Sequence, residues 1–161
     1  MKTDKRSLLF ICLGNICRSP AAEGIMKKMA ADRRLSDQFR IDSAGIGSWH
    51  VGQLPDARMR RHGLLHGYTF DSRARQFKPD DFDRFDYIAV MDHENYGDVA
   101  AQARNRGDLE KIICTADYLR HHPNNKTVPD PYYGGDRDFE LVIELLEDAC
   151  EALLDKLQKE G

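Results

Sequence analysis

Apolar residues come in short blocks, separated by longer stretches in which they recur every three or four positions. Ser7–Cys12, Phe39–Ser43, Asp86–Met91 and Lys111–Thr115 are each nearly all apolar at the centre, which predicts strands covered on both faces. Between and after them the spacing predicts helices over Ser19–Arg33, Asp56–His62, Pro79–Phe82, His93–Arg104 and Asp136–Lys159. The last carries Phe139, Val142, Ile143, Leu146, Cys150, Leu153 and Leu157 on one face, the stripe of a helix packed on a sheet. Gly63 reads as a helix stop and Gly67 as a turn. Because strand and helix alternate, the expected fold is α/β, an open parallel four-stranded sheet with helices on both faces. Ligands bind such sheets outside the carboxyl ends of the strands. No repeat, linker or low-complexity stretch divides the chain, so a single domain over 1–161 is expected.

Composition narrows the class. At 161 residues, 41% hydrophobic and 32% charged, the chain can bury one core without covalent staples. A net charge of −3 gives no general attraction to nucleic acid. Leu8–Leu13 is too short for the apolar core of a signal peptide and lacks a small-residue cleavage site, and nothing approaches the ~18 apolar residues of a membrane span. A cytoplasmic protein is expected, with neither nucleic acid nor membrane as partner; homo-oligomerisation is left open. The four cysteines, at 12, 17, 114 and 150, have neither the density of a disulfide scaffold nor the Cys-x2-Cys pairs of a zinc site, so reduced thiols are expected. Cys114 and Cys150 read as core residues. His62 and His66 have helical metal spacing, but Gly63 is expected to end the helix between them, and His121-His122 lies in a polar loop without partner carboxylates at ligand spacing. No metal and no cofactor is expected.

The chemistry is concentrated after the first strand. Cys12-Leu13-Gly14-Asn15-Ile16-Cys17-Arg18-Ser19-Pro20 runs from a strand into a helix, so the backbone N–H groups of the turn can converge on one oxyanion at the positive end of the helix dipole. That position, beside a fixed cation, also favours a thiolate at Cys12. Arg18 offers a planar fork that holds two phosphoryl oxygens at once. Gly14 and Asn15 are residue types that tolerate a left-handed backbone. Ser19 reads either as a helix cap or as a hydrogen-bond donor to the Cys12 sulfur. The pattern points to phosphoryl transfer, which also requires an acid for the leaving oxygen. Asp130, in Pro129-Asp130-Pro131-Tyr132-Tyr133-Gly134-Gly135, is the candidate, because two prolines stiffen the chain around its carboxylate. Arg58-Met59-Arg60-Arg61 reads as a solvated helix face in preference to a surface that attracts an acidic or phosphorylated protein. Cys17 reads either as packing beneath the turn or as a resolving thiol for an oxidised Cys12.

The cysteine loop, together with Asp42-Ser43, Asp86-Tyr87-Ile88 through Met91-Asp92, and Asp130-Pro131-Tyr132-Tyr133, resembles the low-molecular-weight protein tyrosine phosphatases over essentially the whole chain. The resemblance implies Cys12 as nucleophile, Arg18 as phosphate ligand and Asp130 as general acid, then base, in hydrolysis of protein phosphotyrosine and aryl phosphates through a phosphocysteine. Phosphate and other oxyanions would inhibit. It also implies a loop-shaping hydrogen-bond network of Asn15, Ser19 and Ser43, but a histidine often found before the Ala-Arg-Gln stretch is Ser72 here. Asp92 is expected either to orient Arg18 or the loop, or to cap the helix at His93. Trp49, Tyr132, Tyr133 and Ile16 would wall a cleft deep enough for a phenyl phosphate; Ile16 stands where the similar protein arginine phosphatases have threonine. The competing enzyme, a thioredoxin-coupled arsenate reductase, needs two further cysteines after the third strand, and Met91–Arg106 has none. A phosphopeptide-binding module without turnover is the other competing class.

Overall fold

A computed structural model describes residues 5–160 of the domain expected over 1–161. Its strands are β1 (Arg6–Cys12), β2 (Phe39–Gly45), β3 (Tyr87–Val90) and β4 (Ile112–Cys114). Its helices are α1 (Arg18–Asp32), α2 (Ala57–Leu65), α3 (Asp81–Arg84), α4 (His93–Ala100), α5 (Arg106–Glu110) and α6 (Asp136–Lys159). The four strands pair in the order β2-β1-β3-β4, all parallel. β1 is central, and its final residue Cys12 lies opposite Gly45.

Alternation along β1 divides the core between the faces of the sheet. Leu8, Phe10 and Cys12 face α1 and α6 and join the α6 stripe, while Leu9 and Ile11 pack with Phe77, Phe82, Phe85 and Val99 on the other side. Each large side chain removed from water this way contributes about 1.5–3 kcal/mol before chain entropy is counted. α6 starts and ends where its stripe predicts, and Phe139, Val142, Ile143, Leu146, Cys150 and Leu153 are each fully buried. Cys150 is core as expected, while Cys114 is only partly buried against the second cluster.

Several expectations change. Gly63 does not stop α2, which continues to Leu65. A Cβ on Gly63 would come within 2.5 Å of the Phe70 ring, and so would one on Gly24 of α1; both glycines are notches that admit Phe70 between the helices. Gly67, with φ +85°, is the turn that was expected. The helix expected over His93–Arg104 ends at Ala100, and a short α5 begins after Asn105, whose side chain caps it by accepting from the Asp108 amide at 2.9 Å. β2 runs two residues further than expected, to Gly45, where residues 75–77 hydrogen-bond beside it.

The histidines also differ from expectation. Since α2 is unbroken, His62 and His66 both reach Glu140 of α6, at 2.5 and 2.7 Å. His122 does have carboxylate partners: Nδ1 meets Asp148 and Nε2 meets Glu144, both at 2.8 Å and both from α6. Long-range packing brought these two acids from α6, more than twenty residues away in sequence, to the loop.

Candidate active site

Where β1 ends, residues 13–17 curl and deliver the chain into α1. Asn15 is left-handed at φ 58°, and its buried side chain holds it there. Nδ2 donates to Ser19 Oγ at 2.7 Å and to Ser43 Oγ at 3.0 Å, while Oδ1 accepts the Arg75 amide at 3.0 Å. Gly14, expected to share the left-handed backbone, does not adopt it; its need is space, because a Cβ there would lie 3.1 Å from His50 Cδ2.

Ser19 does not cap α1, whose N-cap is Cys17 without a side-chain cap bond. Its hydroxyl instead lies 3.0 Å from Cys12 Sγ, and its amide points at the same sulfur at 3.4 Å. Since Ser19 Oγ already accepts from Asn15, it has its own proton to give, with the sulfur at 3.0 Å and the more distant Ala44 carbonyl at 3.5 Å as acceptors. Ser43 donates at 2.6 Å to Glu23, a buried carboxylate also paired with Lys27. Glu23 anchors the network although sequence reasoning passed it over; its position four residues after Ser19, on the same helix face, was the available signal. No hydrogen bond joins Ser72 to this network among the described residues, so Glu23 and the Arg75 amide close it.

The Arg18 side chain is 3% exposed. Nη1 donates to Asp92 Oδ2 at 2.7 Å and to the Val128 carbonyl at 3.0 Å. Asp130 Oδ2 stands 3.7 Å from Nη2. Burial alone would lower the Arg18 pKa, but Cys12, Asp92 and Asp130 outweigh it and raise it, so the fork stays charged. Asp92 fills both roles considered for it, because Oδ1 caps α4 by accepting the Asn95 amide at 2.8 Å. Asp130 is half-exposed, and its Oδ1 accepts the Tyr132 amide at 3.1 Å. Burial, with Asp56 next in effect, pushes the Cys17 thiol far up, so it stays a neutral thiol.

These groups share one cleft of about 290 Å³. Cys12, Cys17 and Arg18 line its base, and Ile16, Trp49, Asp130, Tyr132 and Tyr133 line its walls. Trp49 is 67% exposed, so it belongs to the cleft rather than the core, and its ring lies over Gly47, where a Cβ would meet it at 1.9 Å. Tyr132 and Tyr133 meet edge-on with centroids 4.9 Å apart. His50 is a wall residue that the sequence reading missed; its Nδ1 is held 3.0 Å from Gln53 Oε1. The arrangement can present a sulfur, a charged fork and a carboxylate to a tetrahedral anion that carries an aromatic substituent.

The family described as low molecular weight phosphotyrosine protein phosphatase matches residues 7–161. The low molecular weight protein-tyrosine-phosphatase YfkJ of Bacillus subtilis is 43% identical over 157 residues, covering 96% of this chain and 97% of that protein. The low molecular weight phosphotyrosine protein phosphatase of Homo sapiens is 39% identical over 159 residues, covering 94% and 95%. Among solved structures, a protein tyrosine phosphatase from Entamoeba histolytica superposes with a TM-score of 0.93 at 45% identity, covering 97% of this chain and 99% of that one. The chain belongs to the low-molecular-weight phosphotyrosine protein phosphatases, enzymes that hydrolyse phosphotyrosine.

Proposed function

We propose that residues 1–161 act as one phosphatase domain in which Cys12 attacks phosphorus in line, forming a phosphocysteine. Arg18 and the loop amides hold the equatorial oxygens, where charge develops. Asp130 gives its proton to the departing tyrosine oxygen. The carboxylate so formed takes a proton from water, which attacks the intermediate and frees inorganic phosphate. The hydrogen bond from Ser19 favours sulfur as a thiolate, both as nucleophile and as leaving group. One observation carries the reading: Cys12 Sγ, 3.0 Å from Ser19 Oγ, lies in the same cleft as the Arg18 and Asp130 pair at 3.7 Å. Trp49, Tyr132, Tyr133 and Ile16 give the cleft a depth that a phenyl phosphate spans and a phosphoserine does not.

Inorganic phosphate and related oxyanions are the expected inhibitors; the Entamoeba structure holds Hepes, a sulfonate, in its active site. The dependence on a reduced thiol fits the cytoplasm. Cys17, in the same loop, would condense with a peroxide-formed Cys12 sulfenic acid, giving a disulfide and water. Recovery by dithiol after peroxide treatment is then nearly complete in the parent and poor in Cys17→Ser; equal recovery leaves Cys17 a packing role.

The deciding experiment measures aryl phosphate hydrolysis beside arsenate reduction. Cys12→Ser abolishes turnover and retains phosphate binding, and Asp130→Ala slows phosphates with poor leaving groups by about 10²–10⁴-fold and good ones less. Substantial hydrolysis by Cys12→Ser would overturn the mechanism. Arsenate reduction without hydrolysis would favour the reductase, and binding without either reaction the recognition module.

A further inference from the structure

The arginines of Arg58-Met59-Arg60-Arg61 are partly solvated, as expected, but each is tied down. Met59 is fully buried, Arg60 Nε donates to the Pro55 carbonyl at 2.9 Å, and Arg61 pairs with Asp136 at 3.1 Å. Arg58 is the most constrained of its cations. The Asp56 carboxylate takes its Nε at 3.1 Å and Nη2 at 3.0 Å, and the Tyr132 carbonyl accepts from Nη2 at 3.0 Å. The guanidinium carbon lies 4.7 Å from the Phe139 ring centroid and 5.5 Å from that of Tyr132.

Asp56 is itself fixed to the phosphate loop. Its amide donates to the Ile16 carbonyl at 2.8 Å, and its Oδ1 caps α2 by accepting the Arg58 amide at 2.8 Å. Burial alone would raise the Asp56 pKa, but the bonds from Arg58 outweigh it and hold the carboxyl below its usual range. On the far side, the Tyr132 amide donates to Asp130 Oδ1 at 3.1 Å. An unbroken polar path therefore runs from Ile16 through Asp56, Arg58 and Tyr132 to Asp130.

We propose that Arg58, locked by Asp56, is a positioning residue that sets the leaving-group acid Asp130 at its working distance from the Cys12 loop. Asp130 needs such a device. It is half-exposed, and among the described residues its polar contacts are the Tyr132 amide and the Arg18 ion pair. Pro129 and Pro131 stiffen the chain locally but do not fix its place relative to α1. A guanidinium suits the task because its planar fork bonds a carboxylate and a carbonyl together while its face rests on an aromatic ring. A lysine has the charge without the fork. The same contact seats Tyr132, so the acid and one cleft wall move as a unit.

The inference rests on Asp130 being the acid, and the test separates the two claims. Parent, Arg58→Ala, Arg58→Lys, Asp130→Ala and the Arg58→Ala/Asp130→Ala double variant are assayed on aryl phosphates of graded leaving-group pKa, with inorganic phosphate as competing ligand and thermal unfolding recorded for each. Arg58→Ala is expected to lower kcat about 10–100-fold for the poorest leaving groups, progressively less for better ones, with phosphate inhibition within about twofold of the parent. In the Asp130→Ala background the same change adds less than about twofold, because the acid it positions is gone. Arg58→Lys, which keeps the charge and most of the aliphatic stem, recovers thermal stability but not kcat on poor leaving groups. A loss from Arg58→Ala that is equal for all leaving groups, or undiminished when Asp130 is absent, overturns the proposal. So does full kcat in Arg58→Lys. A flat leaving-group response in Asp130→Ala alone would instead fail the assignment of the acid.

Discussion

Asp92 divides its carboxylate between two tasks: Oδ2 holds Arg18 Nη1 at 2.7 Å, and Oδ1 caps α4 at 2.8 Å. The end of β3 thus fixes the guanidinium that follows the loop at the end of β1. A buried arginine held from one side keeps its remaining N–H groups for an incoming oxyanion.

Substitutions at Asp92 separate those tasks. Asparagine also caps helices, so Asp92→Asn should keep α4 but lose the ionic hold on Arg18, lowering kcat/KM and phosphate affinity together and costing about 3–5 kcal/mol for the unpaired buried cation. Asp92→Ala removes both, and leaving a buried cation without its partner costs about 3–5 kcal/mol, in addition to ~1 kcal/mol for the cap. Thermal unfolding beside phosphate inhibition distinguishes the two; equal destabilisation would mean that the cap is immaterial.

The network under the loop makes a second prediction. In Ser43→Ala, Glu23 loses its 2.6 Å donor and Asn15 loses one of its two acceptors. Leaving buried polar groups unpaired costs about 1–3 kcal/mol, and the left-handed Asn15 loosens. Glu23→Gln keeps the shape and one acceptor, so it should disturb the loop less. Denaturant unfolding and kcat for an aryl phosphate should both rank parent, Glu23→Gln, Ser43→Ala; kcat unchanged in Ser43→Ala would show that Asn15 holds the loop unaided.

Periodicity located the sheet and α6 because burial on both faces of a strand, or along one stripe of a helix, writes itself into local spacing. The Cys12–Ser19 turn was legible for the same reason: its unusual residue types are adjacent. What stayed hidden depends on partners far apart in sequence. Gly63 reads locally as a stop, and only the ring of Phe70 against it explains why a glycine lies inside α2. Glu23 reads as a helix-surface acid until Ser43 of β2 is brought against it. His50 shows its place only once Gly14 makes room, and Arg58 shows its own only when the Asp130 loop folds over α2.

That reading of Gly63 reverses an ordinary expectation. Replacing glycine by alanine inside a helix stabilises by about 0.5–1 kcal/mol, and Gly97→Ala in α4, where a Cβ meets nothing within 4 Å, should do so. Gly63→Ala places its Cβ 2.5 Å from the Phe70 ring, and overpacking of that kind costs about 1–3 kcal/mol. The two variants should move the melting temperature in opposite directions. A stabilised Gly63→Ala would show that Phe70 has room to withdraw.

The His122 clasp predicts how stability changes with pH. Both ring nitrogens face carboxylates, Asp148 and Glu144 at 2.8 Å, and an imidazole donates through both only when protonated. Asp148 also accepts the Arg120 and His121 amides, at 3.0 and 2.9 Å, and the Arg120 side chain is itself paired with Asp155 at 2.8 Å. The bonds to Asp148 and then Glu144 raise the His122 pKa above its ordinary 6.5. A pKa raised on folding gives stability that is fully present below the unfolded value and is lost as pH rises through the folded value. His122→Gln, which never carries the charge, should therefore be less stable than the parent by its largest margin below pH 6.5, with the margin shrinking as the parent's imidazolium deprotonates. Denaturant unfolding of both proteins at several pH values from mildly acidic to alkaline measures that margin. A difference that stays constant across the range would mean that His122 acts through shape alone, and one that grows with pH would mean that the ring is neutral in the folded protein.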